Sequence, residues 1–224
     1  MTNHIKKALY LFVFTACFSA SAGSYEDFFR AVKGDDASTV RSLLQRGFDP
    51  NTPDPQTQTG LILALMEPSP KVAKVLLEAK QTNVEARNGK DESPLMMAAL
   101  KGNQEAVNQL IARDADINKP GWTPLHYAAT TGQISIIKVL LDKSAFIDAQ
   151  SPNGTTPLMM AAMYGSTEAV KLLLDEGADI AMKNEQGMTA ADFAQRGQRP
   201  DAIGLLAAAA RRQPAQAPRT DGKW

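Results

Sequence analysis

Cysteine is almost absent from this chain. Cys17 is the only one in 224 residues, and histidine occurs twice. One thiol closes no intramolecular disulfide, so the fold must be held by packing. Aromatic residues make up 6% of the chain, and Lys plus Arg equal Asp plus Glu at 24 each, so no net field draws it to a polyanion and nucleic acid is not an expected partner. A membrane span needs about 20 apolar residues, and the N-terminal run from Ala8 to Phe18 has roughly half that, so no stable insertion is expected. No glycine loop cradles a phosphate, since Gly89-Lys90-Asp91 has turn composition only. What is plentiful is apolar content: 44% of residues, enough for a substantial core and too much for disorder throughout.

Lys6 and Lys7 precede the short apolar run, which ends in Ser19-Ala20-Ser21-Ala22. Basic start, apolar middle and small-residue end form a secretory signal peptide over residues 1–22, with cleavage expected after Ala22 and a periplasmic or secreted destination. Phe14-Thr15-Ala16-Cys17 offers a rival reading, because it loosely resembles the lipobox of bacterial lipoproteins, in which Cys17 would carry a lipid anchor. Cleavage after Ala22 removes Lys6 and Lys7, leaving 22 basic against 24 acidic groups and a formal charge of −2. It also removes Cys17 and His4, so that His126 is the one histidine of the mature chain.

The chain repeats itself. Ser93-Pro94-Leu95-Met96-Met97-Ala98-Ala99, Thr123-Pro124-Leu125-His126-Tyr127-Ala128-Ala129 and Thr156-Pro157-Leu158-Met159-Met160-Ala161-Ala162 are versions of one phrase, with degenerate copies starting at Thr59 and Thr189. The starts are separated by 34, 30, 33 and 33 residues. Within each phrase Thr or Ser caps a helix, Pro occupies a first turn where no N–H bond is lost, and paired alanines permit close approach of a neighbour. Gly102, Gly132 and Gly165 end these first helices. A second apolar helix then follows in most units: Val72 to Leu77, Val107 to Ile111, Ile136 to Leu141 and Val170 to Leu174. Asn103, Ser135 and Ser166-Thr167-Glu168 supply its polar starts. Gly47 and Gly177 stand where the chain turns back, with Asp114 and Ser144 in that place in the middle units. Phe28 to Asp35 with Val40 to Gly47 form one further pair at the N-terminal end, and Ala202 to Arg211 form a last helix. Six units result, the outer two acting as caps. The domain spans residues 23–212, and the Pro/Ala/Gln-rich residues 213–224 are expected to be a disordered tail.

Phrase, period, glycines and the recurring Asp49-Pro50-Asn51 and Asp116-Ile117-Asn118 endings resemble the ankyrin-repeat family over roughly Tyr25 to Arg211. The resemblance implies an all-α solenoid, a curved stack of helix pairs with projecting hairpin fingers. It also implies binding of another protein through fingertips and the concave inner-helix face, without a common active site. Carried over position by position, it selects Arg87, Glu92, Trp122, Thr155, Lys183, Glu185 and Met188 on fingers. On inner helices it selects Leu100, Lys101, Thr130, Thr131, Met163, Tyr164, Gln195 and Arg196. Trp122, Met163, Tyr164, Met188 and Arg196 are the expected anchors, since aromatic, Met and Arg side chains dominate interfaces.

His126 stands at the family's Thr-Pro-Leu-His position, where the resemblance implies a ring hydrogen-bonded to backbone between repeats. With that ring committed and no cysteine, neither a Cys/His nor a Ser/His pair is assembled by the usual routes, and no enzyme activity or cofactor is expected. Asp35-Asp36 stand where a helix takes its N-cap, which favours capping over an acid pair. Met96, Met97, Met159, Met160 and Met163 offer thioethers to a soft metal, but methionine fills gaps between stacked helices, and core packing is the expected role. From Asn118 to Thr123 is five residues where Asp148 to Thr156 is eight, so the finger of the fourth unit is stunted. Trp122 beside it either meets a partner or fills the gap. Pro68-Ser69-Pro70 and an extra residue in Lys80 to Asn83 alter loops of the second unit. The reading is a monomeric protein-binding adaptor of the cell envelope. The alternative is a secreted effector acting on a host protein.

Overall fold

The computed structural model describes residues 23–212; the predicted signal peptide with Cys17 and the predicted tail lie outside the described residues. Twelve helices are present among the described residues, and the only strand pairing there is an isolated bridge between Pro53 and Thr59. They form the six expected pairs: α1 (residues 23–33) with α2 (Ala37–Gln45), α3 (Gly60–Met66) with α4 (Pro70–Glu78), and α5 (Pro94–Lys101) with α6 (Gln104–Ala112). The series continues with α7 (Pro124–Thr131) and α8 (Ile134–Asp142), α9 (Pro157–Tyr164) and α10 (Thr167–Asp175), and α11 (Ala190–Arg196) and α12 (Pro200–Arg212). No described helix is long and apolar enough to cross a membrane. The chain divides into two compact parts, the first ending at Pro94 and the second beginning at Leu95.

In the first part α4 packs on both α2 and α3. Phe28 is fully buried, stacked on Phe48 at 4.5 Å and edge-on to Phe29 at 5.2 Å. Its ring needs the bare backbone of Gly60, where a Cβ would lie 2.5 Å from Phe28. The two acids of the α1–α2 turn both cap helices. Asp36 Oδ1 accepts the Ser38 and Thr39 N–H groups at the start of α2, while Asp35 Oδ1 accepts the Val72 N–H at 2.9 Å in the first turn of α4. Ser69, at the N-cap of α4, makes no such bond, and its buried hydroxyl has no partner, so the Pro68-Ser69-Pro70 irregularity leaves that helix start to Asp35.

In the second part the inner helices α7, α9 and α11 pack in series, and the outer helices α6, α8, α10 and α12 run behind them. Leu95, Leu125 and Leu158 are fully buried, each contributing about 2 kcal/mol of apolar burial. The capping logic of the phrase holds: Thr156 and Thr189 hydroxyls accept the Met159 and Asp192 N–H groups. Gly165 ends α9 because a Cβ there would lie 2.3 Å from the Ala129 carbonyl oxygen, so one inner helix approaches the next through it. Gly47 and Gly177 have φ of +89° and +93°, and Asp114 and Ser144 adopt the same left-handed turn at +60° and +64°. Asn103 and Ser166 cap α6 and α10 as expected. Ser135 does not cap α8: that helix starts at Ile134 behind Gln133, which places Ser135 in its exposed first turn.

The fingers are hydrogen-bonded turns folded around polar side chains. Asp54, Asn88 and Asn184 each accept backbone N–H groups two and four residues ahead, and Ser151 Oγ accepts the Thr155 N–H at 3.0 Å. Residues 118–122 are too few for such a turn and form neither helix nor strand, as the shortened spacing requires. Methionine serves the core at Met96, Met97 and Met159, which are buried, whereas Met160 and Met163 are half-buried.

Candidate functional site

The ends of the inner helices present one residue pair per unit. Leu100 and Lys101 close α5, Thr130 and Thr131 close α7, Met163 and Tyr164 close α9, and Gln195 and Arg196 close α11. Counted from the cap, the pairs of α5, α7 and α9 recur at the same height, whereas Gln195 and Arg196 stand one residue earlier, so that Arg196 shares the position of Met163. Lys101, Thr131, Tyr164, Gln195 and Arg196 are exposed, and Leu100, Thr130 and Met163 are half-buried. Tyr164 is 57% exposed, one of two large apolar side chains left this open among the described residues. The row is tied along its length: Thr131 Oγ1 donates to the Leu100 carbonyl at 3.1 Å, and a Cβ at Gly197 would lie 2.5 Å from the Met163 carbonyl oxygen.

His126 is fully buried and keys one repeat to the next. Its Nδ1 lies 3.1 Å from the Thr123 amide and 2.9 Å from the Thr123 hydroxyl, and its Nε2 lies 2.9 Å from the Thr155 carbonyl. An amide only donates and a carbonyl only accepts, so the proton resides on Nε2. Burial pushes the imidazole down to about 4, against the raising effect of the Thr155 and Ala149 backbone. A neutral, committed ring is no general base at pH 7. In the same helix position other units carry Met159, whose sulfur accepts the Thr156 N–H at 3.4 Å, and Asp192.

Trp122 stands between the two roles open to it. It is half-buried, its ring edge-on to His126 at 5.1 Å, so part of the indole fills space over the helix and part faces out. Thr155 is a correction: it is 2% exposed, its carbonyl holds His126 and its N–H is held by Ser151, so it is a strut and not a contact residue. Arg87 and Glu92 are half-buried and engaged within their own finger. Arg87 pairs with Glu85 at 2.7 Å, and Glu92 accepts from Asn88 Nδ2 at 2.7 Å. Lys183 and Glu185 are exposed and Met188 is half-buried. The Glu185 N–H donates to the Asn153 carbonyl at 3.0 Å, tying the last two fingers together.

One exposed large apolar side chain among the described residues lies outside the positions selected from the sequence. Phe146 is 48% exposed and stands where the neighbouring units carry Asp116 and Asp179. Those carboxylates accept the N–H two residues ahead, at 2.9 and 2.8 Å. Phenylalanine gives up that backbone cap. The signal was present in the alignment of the loops after the outer helices, whereas the selection followed the Thr-Pro-Leu phrase.

A family model of ankyrin repeats matches three times, over residues 28–120, 80–151 and 145–214, and the chain belongs to that family. Its repeats form a fold that generally serves protein–protein interaction. Neurogenic locus notch homolog protein 1 of Xenopus tropicalis is 32% identical over 118 residues, which are 51% of this chain and 5% of that protein. The B-cell lymphoma 3 protein homolog of Mus musculus is 32% identical over 123 residues, 52% of this chain and 28% of that protein. The chain thus spans less than a third of either relative. Among solved structures, a chain of the complex of the Bdellovibrio bacteriovorus predatory endopeptidase Bd0816 with immunity protein Bd3460 is similar. The identity is 27% and the TM-score 0.70, with 81% of this chain and 97% of that chain covered.

Proposed function

We propose that the chain is a non-catalytic adaptor of the cell envelope that holds a protein partner against its inner-helix ends and the adjoining fingers. The observation that carries this reading is the succession of side chains at the inner-helix ends from Leu100 to Arg196, with Tyr164 exposed in a helix whose other large residues are buried or half-buried. An aromatic ring held on a rigid helix end loses little conformational freedom on binding, which is what makes such residues anchors. The envelope location rests on the basic, apolar and small-residue succession of residues 1–22. Affinity purification of the mature chain from a native envelope extract, with a Tyr164→Ala/Arg196→Ala variant as control, is expected to yield a protein that the variant loses. Equal recovery from both would refute the site. Mass spectrometry of the exported protein is expected to show Gly23 at its N-terminus, and a lipidated Cys17 would overturn the cleavage assignment.

The similarity to a chain of an endopeptidase–immunity complex favours a second, narrower reading, in which the partner is an envelope hydrolase that the chain restrains. A recovered partner would then lose hydrolytic activity as the chain is titrated in, and undiminished activity at saturation would reject it.

A further inference from the structure

Charged residues drop out of the middle of the second part. Residues 120–137 and 149–167 contain no Asp, Glu, Lys or Arg, in a chain where 21% of residues are charged. The two stretches hold the whole of α7 and α9 and the residues that lead into them. Of the charges that bound them, Lys138 and Glu168 stand on outer helices, Asp148 accepts the Asp179 N–H at 3.0 Å, and Lys119 is half-buried. The neighbouring inner helices differ: Glu85, Arg87, Lys90, Asp91 and Glu92 precede α5, and Lys183, Glu185, Asp192 and Arg196 lie before or within α11. Burial alone does not account for the gap. Thr131, Asn153 and Tyr164 are exposed, and Trp122, Tyr127 and Met160 are half-buried, so positions that meet water have also gone without charge.

The uncharged residues form one continuous surface. α7 packs along α9, His126 Nε2 reaches the Thr155 carbonyl at 2.9 Å, and a Cβ at Gly121 would lie 3.6 Å from Pro152. Helix is thus joined to helix and finger to finger. Tyr127, Thr130 and Thr131 on α7, like Met160, Met163 and Tyr164 on α9, stand at positions i, i+3 and i+4, which share one helix face. A charged side chain lowered onto this surface would exchange water for groups that offer it no counter-charge, whereas an apolar one sheds water from both sides without that cost. The centres of protein interfaces are depleted of charge for the same reason.

We propose that α7 and α9 form the centre of the partner interface and that its occupant is an uncharged segment of the partner, with an aromatic or aliphatic side chain laid on Met160, Met163 and Tyr164. The proposal rests on the inner-face reading above and specifies its centre and the chemistry of what fills it. Charged segments of either sign are turned away, so selectivity here comes from what the surface would leave unpaired.

A random-peptide phage library selected on the immobilised full chain tests it. Enriched peptides are then measured by fluorescence anisotropy against Tyr164→Ala, Tyr164→Glu and, on the outer face, Lys138→Glu. They are expected to be poorer in Asp, Glu, Lys and Arg than the unselected library and to carry an aromatic or aliphatic residue. They should bind about tenfold more weakly to Tyr164→Ala and more weakly still to Tyr164→Glu, with affinity unchanged by Lys138→Glu and not weakened by a rise in salt. Enrichment of acidic or basic peptides, affinity that falls steeply with salt, or a selection that enriches nothing would overturn it. Tyr164 is exposed, and circular dichroism of each variant separates lost binding from lost fold. If charged peptides bind and Tyr164→Ala abolishes them, the uncharged chemistry is wrong while the inner-face reading stands. If binding survives both substitutions at Tyr164, that reading fails too.

Discussion

Replacing His126 by Met separates what the imidazole does at neutral pH from what it does in acid. Methionine occupies the equivalent position of the next unit, where Met159 sulfur accepts the Thr156 N–H. At position 126 it can accept from Thr123 in the same way, and only the bond from Nε2 to the Thr155 carbonyl is lost. Leaving that carbonyl unpaired costs about 1–2 kcal/mol at pH 7. In acid the order reverses. The folded ring resists protonation until about pH 4, whereas in the unfolded chain it takes a proton near its ordinary value of 6.5. Because the folded value is the lower one, the unfolded state binds the extra proton, and stability falls as pH drops from 6.5 to 4. The loss is about 3 kcal/mol across that window, and none is added below it. The Met variant has no such loss. Urea unfolding followed by circular dichroism from pH 8 to pH 4 is expected to give a more stable wild type at neutral pH and a more stable variant at pH 4. The two curves should cross at about pH 5.5 by the same linkage. Parallel curves would show that the buried ring does not govern acid stability. The depressed carboxylate of Asp192, whose contribution is lost as pH falls through its folded value, is common to both proteins and cancels in the difference.

Other substitutions test the fold and the face. Ser144→Gly relieves a left-handed residue at φ +64° while keeping the carbonyl that Asn118 Nδ2 bonds, and should raise stability by about 0.5–1 kcal/mol in the same urea assay. Gly165→Ala forces a Cβ to 2.3 Å from the Ala129 carbonyl oxygen and should cost about 2–3 kcal/mol, more than Gly177→Ala, which meets nothing within 4 Å and costs about 1 kcal/mol for its backbone alone. Phe146→Asp should restore the cap seen at Asp116 and Asp179, raising stability by about 0.5–1 kcal/mol; a fall would show that the ring packs more than its exposure suggests. Tyr164→Ala should change stability by less than about 0.5 kcal/mol, because its ring is open to solvent.

Much of the fold was legible because each unit writes its own boundaries. The Thr-Pro start, the alanine pair and the closing glycine locate the inner helices to within a residue or two, and the place of Asp114 and Ser144 after the outer helices marks them as stand-ins for glycine. Burial within the fingers was less legible. Thr155 matches the contact register, yet its carbonyl serves a histidine 29 residues away in sequence, a dependence that no local pattern records. Arg87 and Glu92 share that register but are held by Glu85 and Asn88. Ser135 looked like a cap because it is the nearest small hydroxyl, but the tight turn at Gly132 starts the helix two residues earlier than serine capping requires. Asp35 reaching across to cap α4 was legible only as half a statement: the acid was expected at a helix start, and the helix it serves lies 37 residues on.

The bond between Glu185 and Asn153 makes the last two fingers a single ledge, and the short stretch 118–122 ends beside it, with Gly121 against Pro152. A tied pair next to a truncated one forms a step. For a partner docked as proposed above, a bulky surface would rest on the ledge and lower a loop over residues 118–122, where Trp122 is half-buried, whereas a flat one would bridge them. On that reading the three missing residues would act on admission, setting the contour of what can approach before any side chain sets how firmly it stays.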